Sequence, residues 1–474
     1  ILRTLSALMI SVSLLMFGNS MTSTLLALRA DIENYSNEMI GFIASGYFLG
    51  FAIGTFRSGP LINRIGHIRA FSAFSAVAAA SVLLVLITSN AWAWVGLRAV
   101  MGAAAAGLFV VVESWLNNRA TNNSRGILLS LYIMIGYVAS AFGQQTIKFG
   151  DPGSYELFLL VGVVLTLSLV PVALTRATHP DPVEKPFLSI RKLYTVSPTA
   201  FGACFVAGLI TSSWWGLGPV YGREVGLNIE QISGFMTAGL VGGMLLQIPI
   251  GRLSDRFDRR FILLAVTIAL TGPALMLVLG DLLPGWTLIT TVALFFGLSS
   301  TLYPLSIAYA NDYLEPGDIV AASGGFVLVY GIGAVLGPLA SSYSMRVIGP
   351  SGMFMFIILT AGLLVLMILS RMRIRQWAPV VEKEAYVPAA ETPRAVGDLD
   401  PRAEVDEGYD QGPDILSTLE VTLGEEKPFG FWLGRWGESA DDDDKTKESE
   451  TLVQVPAEDA NSDSTENAPS RSKI

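Results

Sequence analysis

Two similar stretches of this sequence decide its fold. Residues 59–69 read GPLINRIGHIR, and residues 251–260, which begin 192 positions later, read GRLSDRFDRR. Each begins with glycine. Four positions later comes asparagine or aspartate, followed directly by arginine and then by further basic residues. Each also follows a long apolar run. A motif that recurs in the same surroundings indicates an internal repeat, so we interpret the chain as two similar halves.

Apolar runs continue on both sides of these stretches. Of the 474 residues, 51% are hydrophobic and 15% charged, and the mean hydropathy is +0.52, which excludes an ordinary soluble domain. A helix crosses the hydrocarbon core with about 20 apolar residues. We place twelve spans at residues 4–28, 38–60, 68–89, 92–116, 125–147, 154–175, 197–221, 231–251, 260–280, 285–310, 319–342 and 352–371. The predicted fold is an all-α polytopic membrane protein with two pseudo-symmetric six-helix bundles.

The basic residues predict the orientation. With the N-terminus in the cytoplasm, 17 basic residues of the membrane body lie on the cytoplasmic side. Only four lie outside: Arg29, Lys148, Arg223 and Arg346. Because cytoplasmic loops carry the excess of Lys and Arg, we expect a multi-pass protein of the cell inner or plasma membrane with both termini in the cytoplasm. The predicted domains are the bundles 1–175 and 197–375, the cytoplasmic central loop 176–196 and the tail 376–474.

The tail differs sharply from the membrane body. From residue 376 onward it holds 24 acidic and nine basic residues and few aliphatic runs, a composition that favours disorder. Within it, Phe431, Trp432 and Trp436 form an aromatic island. This island could bind a protein partner or the bilayer surface, and the alternative is a linker without a partner.

The two repeated stretches resemble motif A of the major facilitator superfamily. In span 4, Arg98 stands four residues before Gly102, which looks like motif B of the same superfamily. The resemblance covers about residues 1–375. It implies two six-helix bundles around a central cavity, which rock to expose that cavity to alternate sides of the membrane.

A narrower resemblance is to the bacterial YcaD-like branch of this superfamily. It rests on Glu-Ser-Trp-Leu-Asn at the end of span 4 and on Asn-Asp and Glu-Pro-Gly after span 10. These occupy residues 113–117, 311–312 and 315–317. The branch implies no particular substrate.

Asp255 is the predicted gating residue. In the superfamily that its motif resembles, an acid here favours the outward-open state. It would face the positive N-terminus of span 5, near residues 123–125, and Arg256 and Arg260 belong to the same gate. The alternative is that these charges only anchor the topology.

The first half departs from the motif. Asn63 stands where the motif has aspartate, which would weaken the equivalent clasp on span 11. Asp318 is placed to cap span 11, and a second carboxylate at position 63 would be repelled by it. We therefore predict that Arg64 pairs with Asp318, with Arg69 as a further basic gating residue of this loop.

Two ionisable residues fall inside span 4. A charge within the membrane costs about 2.5–3.5 kcal/mol on insertion scales, so Arg98 should face the cavity and could anchor an anionic or carbonyl-bearing solute. Snorkelling to the outer surface and a structural partnership with span 1 are the alternatives. Glu113 is the only acid well inside any span and is the candidate proton carrier if transport is proton-driven; a structural hydrogen bond is its alternative.

Small polar clusters recur on spans 1 and 7, which are equivalent in the repeat. Asn19, Thr22 and Ser23 on span 1 and Trp214 and Trp215 on span 7 are candidate cavity residues, although Ser, Thr and Asn also join helices in lipid. Other spans carry further candidates with long, polar but uncharged side chains that could hydrogen-bond a solute: Tyr132, Gln144, Gln247, Tyr303 and Tyr330. With so few ionisable groups, we expect a neutral, amphipathic or singly charged ligand.

Several function classes lack their motifs. The sequence has no phosphate-binding P-loop, only two histidines and no nucleophile–base arrangement, so we predict neither an enzyme nor a metal site, cofactor or nucleic-acid partner. The leading hypothesis is a secondary active transporter or facilitator that moves a small solute by alternating access, in either direction. The alternative is a membrane-bound sensor or scaffold that signals through its acidic tail.

Overall fold

The structure is a computed structural model that describes residues 2–119, 125–174, 188–314 and 318–373. Residues 315–317, Asn123, Ser124 and the tail with Phe431, Trp432 and Trp436 lie outside these ranges, and so does the side chain of Arg125. The α-helices are α1 (Leu2–Ile32), α2 (Asn37–Ile65), α3 (His67–Leu84), α4 (Ala91–Arg119), α5 (Arg125–Thr146), α6 (Glu156–Leu167), α7 (Leu169–Ala173), α8 (Ile190–Val196), α9 (Pro198–Glu224), α10 (Ile229–Arg256), α11 (Arg259–Val278), α12 (Gly285–Asn311), α13 (Ile319–Ile348) and α14 (Gly352–Met372).

Among the described residues, twelve helical segments are long and apolar enough to cross a membrane. This confirms the twelve predicted spans and makes the chain a multi-pass membrane protein. The sixth span, Glu156–Ala173, combines α6 and α7. The short helix α8 lies in the predicted central loop between the bundles.

The helix starts show the repeat directly. Ser36 caps α2 by accepting a hydrogen bond from the backbone N–H of Met39. Asn228, which lies 192 positions after Ser36, caps α10 and forms a capping box with Gln231. Side-chain oxygens at these positions satisfy backbone donors that the first helical turn leaves free. The same boundary is therefore encoded in both halves.

The packing of the two halves follows one pattern. In the first bundle α2 packs on α4, α1 on α5, and α3 on α6; in the second, α10 packs on α12, α9 on α13, and α11 on α14. The bundles meet where α2 contacts α13, α5 contacts α10 and α1 contacts α9. The repeat relates the first two contacts to each other, and the third joins two equivalent helices, so the halves face each other with pseudo-symmetry.

Glycines allow the closest helix approaches. A Cβ at Gly50 would overlap the carbonyl oxygen of Ala99, and one at Gly102 would overlap that of Tyr47, so α2 and α4 touch backbone to backbone. In the second half, a Cβ at Gly242 would overlap the carbonyl oxygen of Ala293. Small residues at such interfaces let membrane helices approach closely.

Burial separates the central helices from the lipid-facing ones. The most apolar window of α9 is 83% buried within the protein, whereas that of α11 is only 33% buried. Because a span that faces hydrocarbon can expose large apolar side chains freely, α11 lies at the periphery. Helix α9 lies in the centre, where it contacts both α1 and α2 of the other half.

Candidate functional site

Arg98 is a buried cation with neutral partners. It lies on α4 with only 6% of its surface exposed. Its Nη2 donates to Ser23 Oγ at 2.7 Å, and its Nη1 lies 3.3 Å from Met101 Sδ. The guanidinium also lies 4.5 Å from the centre of the Tyr47 ring. Among the described residues no carboxylate forms an ion pair with Arg98.

Arg98 lines a cavity between the two halves, which we call the central cavity. The space between its walls, counted together with the open solvent at its mouth, is about 380 Å³. Helices α1, α2 and α4 contribute most of the lining, and α9 closes it from the other half. Its lining residues are Asn19, Ser20, Ser23, Ala44, Tyr47, Phe48, Arg98, Trp215 and Gly216. Solutes bind at such repeat interfaces in transporters of this architecture.

The lining of the central cavity is rich in hydrogen-bond donors. Tyr47 Oη donates to Asn19 Oδ1 at 3.0 Å, which leaves the amide NH₂ of Asn19 as a donor. Trp215 is 6% exposed, and its indole Nε1 has no acceptor among the described residues. An indole N–H can only donate. A ligand that offers acceptors would satisfy both groups.

Four of the predicted solute-binding residues lie together in the central cavity: Asn19, Ser23, Arg98 and Trp215. Others are placed elsewhere, with hydrogen bonds to their own or a neighbouring helix, except that Nε1 of Trp214 has no acceptor among the described residues. Thr22 donates to the backbone of Gly18, and Gln144 donates to Ser20. Trp214 instead packs into an aromatic cluster with Phe235, Phe295 and Phe296, and Gln247 donates to Tyr137 Oη at 2.8 Å.

Glu113 does not join the central cavity. It lies fifteen positions after Arg98 on α4, about 22 Å along the helix at 1.5 Å per residue. It is 4% exposed, and Tyr132 Oη donates to its Oε1 at 3.5 Å. The predicted solute-binding and proton-carrying groups of α4 therefore belong to two separate places.

A second cavity, which we call the seam cavity, runs between α2 and α13. Apart from Thr55 and the hydroxyl of Tyr330, its lining is apolar. Phe48 lines both this cavity and the central one. The full lining is Phe48, Phe51, Ala52, Thr55, Phe56, Gly324, Val327, Leu328, Tyr330, Gly331 and Ala334. Tyr303 lies behind it, with its ring edge-on to that of Tyr330 at 5.4 Å.

Polar contacts join the halves at one end of the helices, which we call the sealed end. Arg223 Nη1 lies 2.8 Å from Asp31 Oδ2, and Arg346 Nη1 lies 2.8 Å from Glu38 Oε1. Nearby, Asn37 Nδ2 donates to Glu224 Oε1 at 2.9 Å. Each contact connects a helix of the first bundle to one of the second. The opposite end, where α2 ends and α11 begins, we call the basic end.

The gating prediction overlooked the sealed end. Its signal was present in the sequence, because Arg223 and Arg346 are two of the four basic residues that depart from the positive-inside pattern. A third, Arg29, pairs with Glu33 at 2.6 Å. The basic residues that depart from the positive-inside pattern therefore indicated where ion pairs join the two halves.

At the basic end, the charges of the second repeated stretch converge on Arg259. Its side chain is 1% exposed, pairs with Asp312 and Asp255, and donates to the carbonyl oxygen of Ala308 at 2.8 Å. Sequence reasoning named Arg256, which is exposed, and missed Arg259. Asp255 lies near the end of α10 and Arg259 at the start of α11, so their pairing depends on the turn between the two helices, which the spacing alone did not reveal.

The other gating predictions have different outcomes. Arg260 pairs with Asp258 at 2.9 Å. The predicted contact of Asp255 with residues 123–125 falls partly outside the described residues and stays a prediction. Asn63, Arg64 and Arg69 are exposed at the basic end.

The predicted pairing of Asp318 with Arg64 is not what the structure shows. Asp318 Oδ2 lies 2.7 Å from Nζ of Lys192 on α8, and its side chain makes no capping hydrogen bond to α13. Helix α8 also packs on α13, which brings Lys192 within reach. The pair therefore ties the central loop to the second bundle.

We expect Asp318 to be coupled energetically to Lys192 and not to Arg64. In a double-mutant cycle, Asp318→Asn with Lys192→Met should show about 0.2–1 kcal/mol of coupling, the range for exposed ion pairs. Asp318→Asn with Arg64→Gln should be additive. Unfolding of the purified protein at low salt measures both cycles, and a larger coupling to Arg64 would contradict the assignment.

No group of three or more His, Cys, Asp or Glu side chains is arranged to hold a metal ion in the part of the chain that the structure describes. The lone Cys204 is buried there. The site is thus a cavity whose chemistry comes from one guanidinium and several uncharged donors.

Comparison with known proteins agrees with this architecture. The family model of the Major Facilitator Superfamily matches residues 8–244 and 199–402. An uncharacterized MFS-type transporter, YcaD, of Shigella flexneri is 30% identical over 362 residues, which cover 75% of this chain and 92% of that protein. The YcaD protein of Salmonella arizonae is 28% identical over 371 residues, with 77% and 95% covered.

Solved structures share the fold at low sequence identity. The nucleoside transporter NupG superposes with a TM-score of 0.65 and 12% identity, covering 79% of this chain and 100% of that one. A bacterial homologue of the human lysosomal transporter Spinster gives a TM-score of 0.60 and 14% identity, covering 80% and 98%. With the repeated stretches, the twelve spans and the cavity between the halves, these matches place the chain in a family: it belongs to the major facilitator superfamily, in its YcaD-like branch.

Proposed function

We propose that this protein is a secondary transporter that moves a small solute across the membrane by alternating access. The observation that carries the proposal is the central cavity, which lies between the two bundles and is lined by both. A cavity at this interface changes its exposure when the bundles rock. The transporter names of the similar YcaD proteins support the same function.

The basic end faces the cytoplasm in this proposal. The excess of 17 basic residues over four supports that orientation, with both termini inside and the protein in the inner or plasma membrane. The sealed end then faces outward. Because residues 51–56 of α2 follow residues 44–48 toward the basic end, the seam cavity lies on the cytoplasmic side of the central cavity, and Phe48 lines both. In this orientation the contacts of the sealed end close the protein on its outer side.

Locking the sealed end should stop transport. Asn37→Cys and Glu224→Cys, in a Cys204→Ala background, place thiols where a hydrogen bond now joins the halves. A short thiol cross-linker should then abolish protein-dependent solute uptake into proteoliposomes, and a reducible cross-linker should allow recovery. Mass spectrometry of the vesicle contents, after incubation with a mixture of small metabolites, gives the readout.

A matched cross-link on one helix controls for the chemistry. Arg29→Cys with Glu33→Cys lies at the same end, but Arg29 is in α1 and Glu33 directly follows that helix in the same bundle, so linking them leaves the halves free to move. Full uptake with the Asn37–Glu224 cross-link would refute alternating access. A protein that binds a metabolite but moves none would favour the sensor hypothesis instead.

Glu113 is the proposed proton carrier if transport is coupled to protons. Glu113 is buried, and its carboxyl group can bind and release a proton, which a neutral side chain cannot do. Uptake by wild type and by Glu113→Gln, with and without a pH gradient, tests the coupling. A gradient effect that persists in the variant would exclude this role.

A further inference from the structure

The central cavity presents a positive charge that no protein carboxylate neutralises within the described residues. Among the described residues, the Arg98 guanidinium contacts the hydroxyl of Ser23, the thioether of Met101 and the ring of Tyr47. A charge removed from water is costly unless it is paired. An anionic ligand would supply the missing partner.

A second, independent feature also calls for an acceptor. The buried indole N–H of Trp215 has no acceptor in the part of the chain that the structure describes, and Trp215 lines the same cavity as Arg98. An unsatisfied buried donor has a cost that a carboxylate oxygen removes, because an ionised carboxylate only accepts hydrogen bonds. The NH₂ group of Asn19 adds a further donor.

The charge count fixes how many negative charges the ligand carries. Of the described residues that line the central and the seam cavity, Arg98 alone is charged. A phosphate monoester, with a charge of about −1.5 to −2 at pH 7, would keep an excess negative charge in a poorly hydrated site. A single carboxylate matches one guanidinium in both charge and planar geometry.

The seam cavity defines the rest of the ligand. One face of α2 runs from Tyr47 beside Arg98, past the shared Phe48, to Phe56 in the seam. That path is about 13 Å long at 1.5 Å per residue. Its side chains are mostly apolar, so it favours an extended hydrocarbon over a polar body.

We propose that the transported solute is an amphipathic monocarboxylate. Its carboxylate binds Arg98, Trp215 and Asn19 in the central cavity, and its aliphatic part lies along α2 in the seam cavity. This substrate class rests on the proposed transport function, but its binding can be measured without transport.

Binding of decanoate to the full chain in lipid nanodiscs tests the proposal, with empty nanodiscs as the correction for partitioning into lipid. Decanoate should bind, whereas decanol and decyltrimethylammonium should bind at least tenfold more weakly. Over the series from butanoate to decanoate, each added methylene should raise affinity about fourfold. Arg98→Gln should weaken decanoate about 10- to 100-fold, the range for hydrogen bonds to a charged group.

Two pairs of variants separate the site from the fold. Trp215→Phe should weaken decanoate about threefold to tenfold through the lost donor, whereas Trp214→Phe should not, because Trp214 belongs to the aromatic cluster. Gly331→Leu should fill the seam and weaken decanoate but not butanoate. Gly362→Leu is its control, since a Cβ there meets nothing within 4 Å.

The outcomes distinguish this proposal from the transport function. Equal binding of decanoate and decanol, or decanoate binding that survives Arg98→Gln, would overturn the substrate class even if another solute is transported. Decanoate that binds with the expected dependence on Arg98 but is not transported would support the binding site and overturn the claim that this class is the transported solute.

Discussion

Gly102→Ala should destabilise the protein, while Gly96→Ala on the same helix should stabilise it. A Cβ at Gly102 would overlap the carbonyl oxygen of Tyr47, so α2 and α4 would have to separate. Overpacking of this kind costs about 1–3 kcal/mol or more. A Cβ at Gly96 meets nothing within 4 Å, and replacing a helical glycine by alanine contributes about 0.5–1 kcal/mol.

Unfolding of the two purified variants in the same detergent measures this difference. Because the displaced residue Tyr47 also faces Arg98, Gly102→Ala should disturb the central cavity as well. Gly242→Ala provides a repeat-equivalent test, since its Cβ would overlap the carbonyl oxygen of Ala293 in the second bundle. Equal stability of Gly102→Ala and Gly96→Ala would show that α2 and α4 are not in backbone contact.

Reversing the two arginines of the sealed end should open it. Arg223→Glu would place a carboxylate beside Asp31, and Arg346→Glu would place one beside Glu38. Each exposed pair contributes up to about 1 kcal/mol. Turning two attractions into repulsions should shift the equilibrium by about 1–2 kcal/mol, or about tenfold in population, toward a conformation open at that end.

Labelling of Ala44→Cys by a membrane-impermeant thiol reagent from the sealed side reports the opening, because Ala44 lines the central cavity. The background is Cys204→Ala, which removes the only cysteine. High salt should reduce the difference from wild type, since the charges are partly exposed. Adding Asp31→Arg and Glu38→Arg should restore protection. Unchanged labelling in the reversed variant would show that the ion pairs do not hold the seal.

Much of the fold follows from sequence because its determinants are local. The spans follow from hydropathy, since a helix in hydrocarbon satisfies its own backbone and needs only apolar length. The duplication follows from similar stretches at a fixed spacing, residues 59–69 and 251–260. Arg98 was identifiable for a similar reason, because a charge inside a span must face away from lipid.

The tertiary structure decided which polar residues act together. Trp214 and Trp215 are neighbours on one helix, yet one packs in an aromatic cluster and the other lines the cavity. Sequence could not separate them, because the direction of a side chain on a helix surrounded by protein depends on the neighbouring helices. The pairing of Asp31 with Arg223, and of Asp318 with Lys192, likewise depended on how distant helices pack. The sequence by itself therefore determined the spans, their repeat and the buried charge, while only the packing of the two bundles decided what that charge faces.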